Sequence, residues 1–333
     1  MKLVLKTSVL IFLLSTCQTA KRSIHDEYTF TVNGKISVKE LGFSLTHEHI
    51  MSNFGAEPEY IPRYDQGDLF GQVVPYLKNV KSQGITTVFD CTAAYFGRDV
   101  HILKALADST GLQIVTNTGF YAAASDRYVP ELAYRLNAEE IAKIWIGEFK
   151  NGIDDTGIRP GFVKLAFDGG APSEIDLKLF RAGILTHLST GLPLVVHTGN
   201  NVEAARRQLE LLEKSNLSPT AWIWAHADKV EDVEELLSAA ERGAWISLDG
   251  VKQENITDYL RKIDLFKSRG LLHKVLLSHD GNSFPRGGAI RPYDAIPKAL
   301  LPALKAHGYP LQEINQLMVE NPQRAFGIRV RRM

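Results

Sequence analysis

Residues 194–226 read LVVHTGNNVEAARRQLELLEKSNLSPTAWIWAH, and the fold follows from how this stretch is parsed. Leu194-Val195-Val196-His197 is a short apolar run rich in β-branched residues, and Trp222-Ile223-Trp224-Ala225-His226 is a second run of strand type. Between them, Asn201–Ser215 carries Ala205, Leu209 and Leu212 at the spacing of one helix face. Strand, helix and strand in this order form a parallel unit, because a crossover helix is what lets successive strands run the same way.

Outward from that unit the same alternation fills the chain. Strand-like runs stand at Phe43–Thr46, Thr86–Asp90, Gln113–Thr116, Gly161–Leu165, Leu194–His197, Trp222–His226, Ala244–Leu248 and Lys274–Ser278. Each is followed by room for a loop and a helix, as in Val230–Arg242, which Gly243 stops. Eight such repeats, with no Gly-rich dinucleotide turn after the first, predict a closed (β/α)8 TIM barrel in the α/β class rather than a doubly wound sheet. No linker, low-complexity stretch or internal repeat interrupts residues 26–333, so they are expected to form a single domain.

Composition narrows the function classes. The 333 residues include 38 Lys+Arg and 38 Asp+Glu, a net charge of zero with no basic run. Nucleic-acid binding needs a concentrated positive surface, so no nucleic-acid partner is expected. No apolar stretch approaches the ~20 residues needed to span a bilayer. A hydrophobic share of 44% is ordinary for a globular chain and excludes a disordered one.

The two cysteines read differently. Cys91 is alone in the body of the chain, whereas Cys17 closes a segment with Lys2, Lys6 and the apolar stretch Val9 to Leu14. A basic start and a short apolar core are the marks of a secretory leader. Leu14-Ser15-Thr16-Cys17 resembles the lipobox of bacterial lipoproteins, which implies a lipid anchor on Cys17. Residues 1–25 are therefore expected to be a leader and tether, and the protein to be exported, periplasmic or membrane-anchored; a plain cleaved signal peptide is the alternative.

Chemistry gathers where the strand-like runs end. His47 and His49 in Leu45-Thr46-His47-Glu48-His49 are two apart, so in a strand both imidazoles share one face. Two such imidazoles can chelate a zinc ion, or they can be supporting residues. His197 and His226 end later runs and Asp280 follows the last, at the rim where barrel enzymes assemble their sites. Lys164 lies inside the apolar run Gly161-Phe162-Val163-Lys164-Leu165-Ala166-Phe167, where an unpaired ammonium is costly. Either it snorkels or pairs with a carboxylate, or its neutral amine captures carbon dioxide. The resulting carbamate is an anionic ligand able to bridge two metal ions.

Gly42-Phe43-Ser44-Leu45-Thr46-His47-Glu48-His49-Ile50 resembles the opening of the phosphotriesterase family, in its lactonase-like group, within the amidohydrolase superfamily. Ordered matches follow at Gly97-Arg98-Asp99-Val100, Asn117-Thr118-Gly119-Phe120-Tyr121, residues 152–159, the strand of Lys164, Val196-His197-Thr198, Ala225-His226, Ser278-His279-Asp280 and Asn321–Phe326. The resemblance implies two divalent ions, zinc first with manganese, cobalt or iron as alternatives. His47, His49 and Asp280 would hold the more buried ion, His197 and His226 the more exposed one, and carbamylated Lys164 and a hydroxide would bridge them. Attack by that hydroxide makes the expected activity a metal-dependent hydrolase, with Asp280 taking the proton. Asp228 is a candidate for the next step of the relay, and His279, one residue before Asp280, is expected to face away.

The expected substrate is a small molecule, a lactone or related carboxylic ester, because Tyr121 stands where lactone-hydrolysing relatives carry a tyrosine. Those relatives also carry an arginine after the seventh strand, where this chain has Leu248-Asp249-Gly250. Arg286 and Arg291, in the loop Gly281–Pro297, either grip an anionic part of the substrate or are simply solvated. A phosphotriesterase or an amide-cleaving hydrolase is the alternative within enzymes, and a non-catalytic metal- or ligand-binding surface lipoprotein the alternative outside them. The resemblance also implies a homodimer.

Overall fold

The computed structural model describes residues 27–60 and 62–333, so the expected leader and Cys17 lie outside the described residues. An antiparallel hairpin of β1 (Tyr28–Thr31) and β2 (Gly34–Ser37) precedes the barrel. The staves are β3 (Ser44–His49), β4 (Thr87–Asp90), β5 (Gln113–Val115), β6 (Asn117–Thr118), β7 (Phe162–Ala166), β8 (Leu194–His197), β9 (Trp222–Ala225), β10 (Trp245–Leu248), β11 (Val275–Leu277) and β12 (Gly281–Asn282). They pair in parallel in two arcs, β12-β3-β4-β5 and β6-β7-β8-β9-β10-β11.

The arcs belong to one ring. Thr116 divides the third stave into β5 and β6, and Ser278–Asp280 divides the eighth into β11 and β12. Across the closing seam the His47 amide donates to Ser278 Oγ at 2.9 Å, and the Asp280 amide to the His47 carbonyl at 3.1 Å. All eight expected runs are staves, with ends moved by up to three residues. The ladder breaks in the eighth because Asp280 takes a left-handed φ of 51°.

The ring is covered by α1 (Gln66–Ser82), α2 (Val100–Thr110), α3 (Glu131–Arg135), α4 (Ala138–Asn151), α5 (Glu174–Thr190), α6 (Val202–Lys214), α7 (Val233–Glu241), α8 (Ile256–Ser268), α9 (Leu301–Ala306), α10 (Leu311–Asn315) and α11 (Asn321–Phe326). Capping side chains set several starts. Asn201 accepts from the Ala204 amide, so α6 begins just after it. Asp232 accepts from the Glu234 amide, which moves the start of α7 from the expected Val230 to Val233.

Strand alternation sorts the core into two layers. Val163 and Leu165, Leu194 and Val196, Trp222 and Trp224, and Ile246 and Leu248 belong to the large cluster shared with the helices. Their neighbours Phe162, Val195, Ile223, Trp245 and Leu276 form a second cluster with Phe89 and Val115. Phe326 of α11 closes that cluster, its ring 4.0 Å from Phe89 and 5.8 Å from Phe162. By the same alternation Lys164 shares the inward face with Phe162. The inner cluster thus forms an apolar floor, and the polar residues gather above it.

The C-terminal segment is fastened through a buried neutral imidazole. His187, near the end of α5, has Nδ1 2.8 Å from the Leu192 carbonyl, and its Nε2 accepts from the Arg331 amide at 3.0 Å. Burial lowers its pKa from 6.5 to about 4, against the Leu192 hydrogen bond, which raises it. A histidine depressed in the fold stabilises fully above its unfolded pKa and loses that contribution as pH falls. His187 should therefore cost the fold about 3 kcal/mol between pH 6.5 and pH 4. Urea midpoints for the wild type and His187→Gln should converge as pH falls through this window; a gap independent of pH would refute the assignment.

Candidate metal centre

β3 delivers its two histidines together, aided by an irregular register against β4 between Leu45 and Glu48. His47 Nε2 and His49 Nε2 lie 3.8 Å and 3.4 Å from Asp280 Oδ1, a convergence able to hold a cation. Glu48, between them in sequence, takes no part in that convergence. Fully buried, it accepts from Ser278 Oγ at 2.7 Å and the Gly281 amide at 2.7 Å, and sits 2.7 Å from His279 Nδ1. Glu48 thus ties the eighth stave to the first. His279 receives the Ile296 amide on Nε2 at 2.9 Å and faces away from the metal cavity.

His226 reaches the same space by an unusual backbone. Ile223 and Ala225 point inward, so a continued strand would turn His226 outward, but its φ of 58° and ψ of 32° are left-handed. Such a conformation is costly for a residue with a Cβ, and the turn brings the imidazole back over the barrel mouth. Its ring lies 4.2 Å from His197 and 4.7 Å from His47.

Asp249, just past β10, organises these rings. It is fully buried, with Oδ2 2.8 Å from His47 Nδ1 and Oδ1 2.8 Å from His226 Nδ1. Burial by itself would raise its carboxyl, but the two imidazoles hold it well below the usual range. As a carboxylate it can only accept, so both Nδ1 atoms carry the hydrogen and both Nε2 lone pairs are free for a cation. Asp249 has no role among the residues that the sequence motifs point to. The available signal was a carboxylate directly after an apolar run at the catalytic rim.

Lys164 is fully buried, its Nζ 3.0 Å from His47 Nε2 and with no carboxylate oxygen within ion-pair distance among the described residues. Of the readings open at the sequence level, snorkelling and carboxylate pairing are therefore not realised. Gly119 lets the chain after β6 lie directly against the Lys164 backbone. With φ at 121°, a Cβ there would stand 2.0 Å from the Lys164 carbonyl oxygen.

His47, His49 and His197 are poised as neutral donors. Burial, with the nearby Lys164, lowers His47 to about 3. Burial lowers His49 to about 4 against its bond to Asp280, and sets His197 well below 6.5. Burial pushes Asp280 upward, but His49 and its neighbours outweigh this and keep it ionised. Tyr121 stacks on Phe96 at 4.7 Å, and its hydroxyl is 3.2 Å from His197 Nδ1. Burial and the Asp280 charge raise its phenol, so it stays protonated.

These groups line a cavity of 220 Å3 together with Phe54, Lys229 and Arg291. Asp228, the candidate relay residue, is not among them. Its Oδ1 accepts from the Asp249 amide at 3.2 Å, and burial raises its carboxyl, with the Asp249 charge adding. A Cβ on Gly250 would meet Asp228 Oδ2 at 2.7 Å and the Tyr259 hydroxyl at 3.0 Å, so those residues fill the place of a side chain there. The loop arginines part company. Arg286 pairs with Glu59 at 2.6 Å outside the cavity, whereas Arg291 faces into it.

Imidazoles and a carboxylate gathered over the C-terminal rim of a (β/α)8 barrel define a metal-dependent hydrolase. More particularly, the chain belongs to the phosphotriesterase family, whose model matches residues 28–326. It is 26% identical over 317 residues to an aryldialkylphosphatase of Saccharolobus solfataricus, covering 88% of this chain and 98% of that one. It is 22% identical over 341 residues to the N-acetyltaurine hydrolase of Mus musculus, covering 88% and 96%. A mutant of a PTE-like lactonase from Deinococcus radiodurans superposes with a TM-score of 0.80 at 27% identity, covering 90% of this chain and 100% of the other.

Proposed function

We propose that this chain hydrolyses a small lactone or related carboxylic ester at a pair of divalent ions. His47, His49 and Asp280 would hold one ion, His197 and His226 the other, with Lys164 as a carbamate between them. The observation that carries the reading is the buried Lys164 amine, 3.0 Å from His47 Nε2 and without a carboxylate partner, amid imidazoles whose free nitrogens face one space. Nitrogen and carboxylate donors of this kind suit zinc, and also manganese, cobalt or iron. When bound, the ions supply a hydroxide near neutral pH and polarise the scissile carbonyl.

The chain's own residues do the rest. Asp280 turns Oδ1 toward the imidazoles and Oδ2 toward Arg291, leaving Oδ2 to take the proton and return it to the leaving group. Tyr121, kept protonated, donates a hydrogen bond to the substrate oxygen. Phe96 holds the Tyr121 ring in plane, and with Phe54 it excludes water from that side. The small cavity favours a small ester over a bulky triester, since sites for drug-sized ligands span roughly 300–1,000 Å3. The names of the relatives support both a lactone and an amide as the bond cleaved. The leader in residues 1–25 supports export, with Cys17 as the lipid-bearing residue.

Proton release at fixed pH tests the reading, on protein reconstituted with zinc or manganese and bicarbonate. Lactone turnover should appear and fall about 10²–10⁴-fold in Asp280→Asn. Turnover of an aryl phosphotriester alone, or of an N-acyl amide alone, would replace the ester reading by that activity. Silence with two ions bound would reject all three bonds.

A further inference from the structure

We propose that the cavity has two unlike walls and selects substrates that carry an anionic group, gripped by Arg291 and Lys229; this rests on the hydrolase reading and names the substrate class within it. One wall is aromatic, with Phe96 stacked on Tyr121 and Phe54 edge-on to Phe96 at 6.4 Å. The other wall is cationic. Lys229 ends the short 3-10 turn Ala227–Lys229 that follows His226 in the loop after β9, and Arg291 lies in the loop after β12.

Arg291 is held with its fork unspent. Its amide and carbonyl pair with Asn282 at 2.9 Å and 2.7 Å, and its Nε donates to the Asp280 carbonyl at 2.8 Å. The guanidinium packs 5.5 Å from the Phe54 ring centroid, at the junction of the two walls. Neither terminal nitrogen makes a hydrogen bond among the described residues, and the nearest carboxylate oxygen, Asp280 Oδ2, is 3.5 Å from Nη2. The Lys229 side chain is exposed and has no ion pair among the described residues. Beside these two cations, the cavity lining contains one carboxylate side chain, Asp280.

A carboxylate, sulfonate or phosphate on the substrate would meet the planar Arg291 fork, for which two parallel hydrogen bonds are the favoured geometry. Lys229 would add a point charge. Gly250 leaves no arginine after the seventh strand, so Arg291 supplies the cation from the following loop instead.

The test uses a matched pair on the full, metal-reconstituted protein: a γ-lactone bearing a ring carboxylate (5-oxotetrahydrofuran-2-carboxylate) and its neutral methylamide. Wild-type kcat/KM should favour the carboxylate by about 10–100-fold, mainly through KM and less so at high salt. Arg291→Gln should bring that ratio close to one, Lys229→Gln should lower it severalfold, and Arg291→Lys should recover part of it. Calorimetric binding of the ring-opened dicarboxylate should weaken in parallel. A wild-type ratio near one, or an equal loss on both substrates in Arg291→Gln, would overturn the proposal. If neither lactone is cleaved, the ester reading fails; the clamp then stands or falls on whether Arg291→Gln weakens dicarboxylate binding.

Discussion

Replacing Lys164 by methionine should lower turnover by at least about 10³-fold and reduce bound metal from two ions to one. The side chain stands on the apolar floor formed by Phe162, Phe89 and Val195, is fully buried, and has His47 Nε2, at 3.0 Å, as its one hydrogen-bond partner among the described residues. A permanent ammonium there would face neutral imidazoles with no carboxylate partner. Carbon dioxide would resolve this under the proposed reading: the amine lone pair would bond to its carbon, a proton would leave the nitrogen, and a carbamate anion would remain. Such a carbamate would supply the shared anionic ligand that the proposed pair of ions needs. Methionine fills nearly the same volume without a nucleophilic nitrogen, so the fold should survive the change. Metal analysis and kcat at saturating zinc decide the matter, with a thermal melt as the control for folding. Full activity with two ions in Lys164→Met would remove the carbamate from the mechanism. Labelled bicarbonate gives an independent check, since the wild type should incorporate a carbonyl carbon that the variant lacks.

Much of the barrel was legible because parallel staves are buried on both faces and read as continuous apolar runs. Leu194–His197 matches its stave residue for residue, whereas the run at Trp222–His226 stops one residue earlier, at Ala225. That residue matters chemically. Sequence spacing located His226 at the rim, but its left-handed backbone, which turns the ring inward, has no signature in a non-glycine residue. The division of the third and eighth staves was equally hidden, because pairing across Thr116 and across Ser278–Asp280 depends on neighbours far away in the chain. The loop arginines show the same limit. Arg286 and Arg291 are alike in sequence, and their separation rests on Glu59 and Asn53 reaching one and Asn282 anchoring the other. Lys229 and Asp249 carry no distinguishing signal in the sequence, because a single charged residue after a strand looks like ordinary rim polarity.

Asp249→Asn should weaken metal affinity by about 10–100-fold for both ions at once, although Asp249 need touch neither. Its Oδ2 orients His47 and its Oδ1 orients His226, and the proposed assignment puts these histidines on different ions. An asparagine offers one acceptor oxygen and one amide group that can only donate. One imidazole must then turn over or move its hydrogen to Nε2, the nitrogen that should face an ion. The competing geometry is that Asp249 is itself a ligand, since His47, His226 and Asp249 also lie close enough to hold a cation. Its oxygens, however, are already taken up by the two Nδ1 hydrogens and by the His226 amide at 3.0 Å and 3.1 Å. The two arrangements separate on stoichiometry. A positioning carboxylate predicts lower affinity in a chelator competition, with two ions still bound at saturation and much of the turnover recovered there. A ligating carboxylate predicts one ion at any zinc concentration, and that result would overturn the assignment.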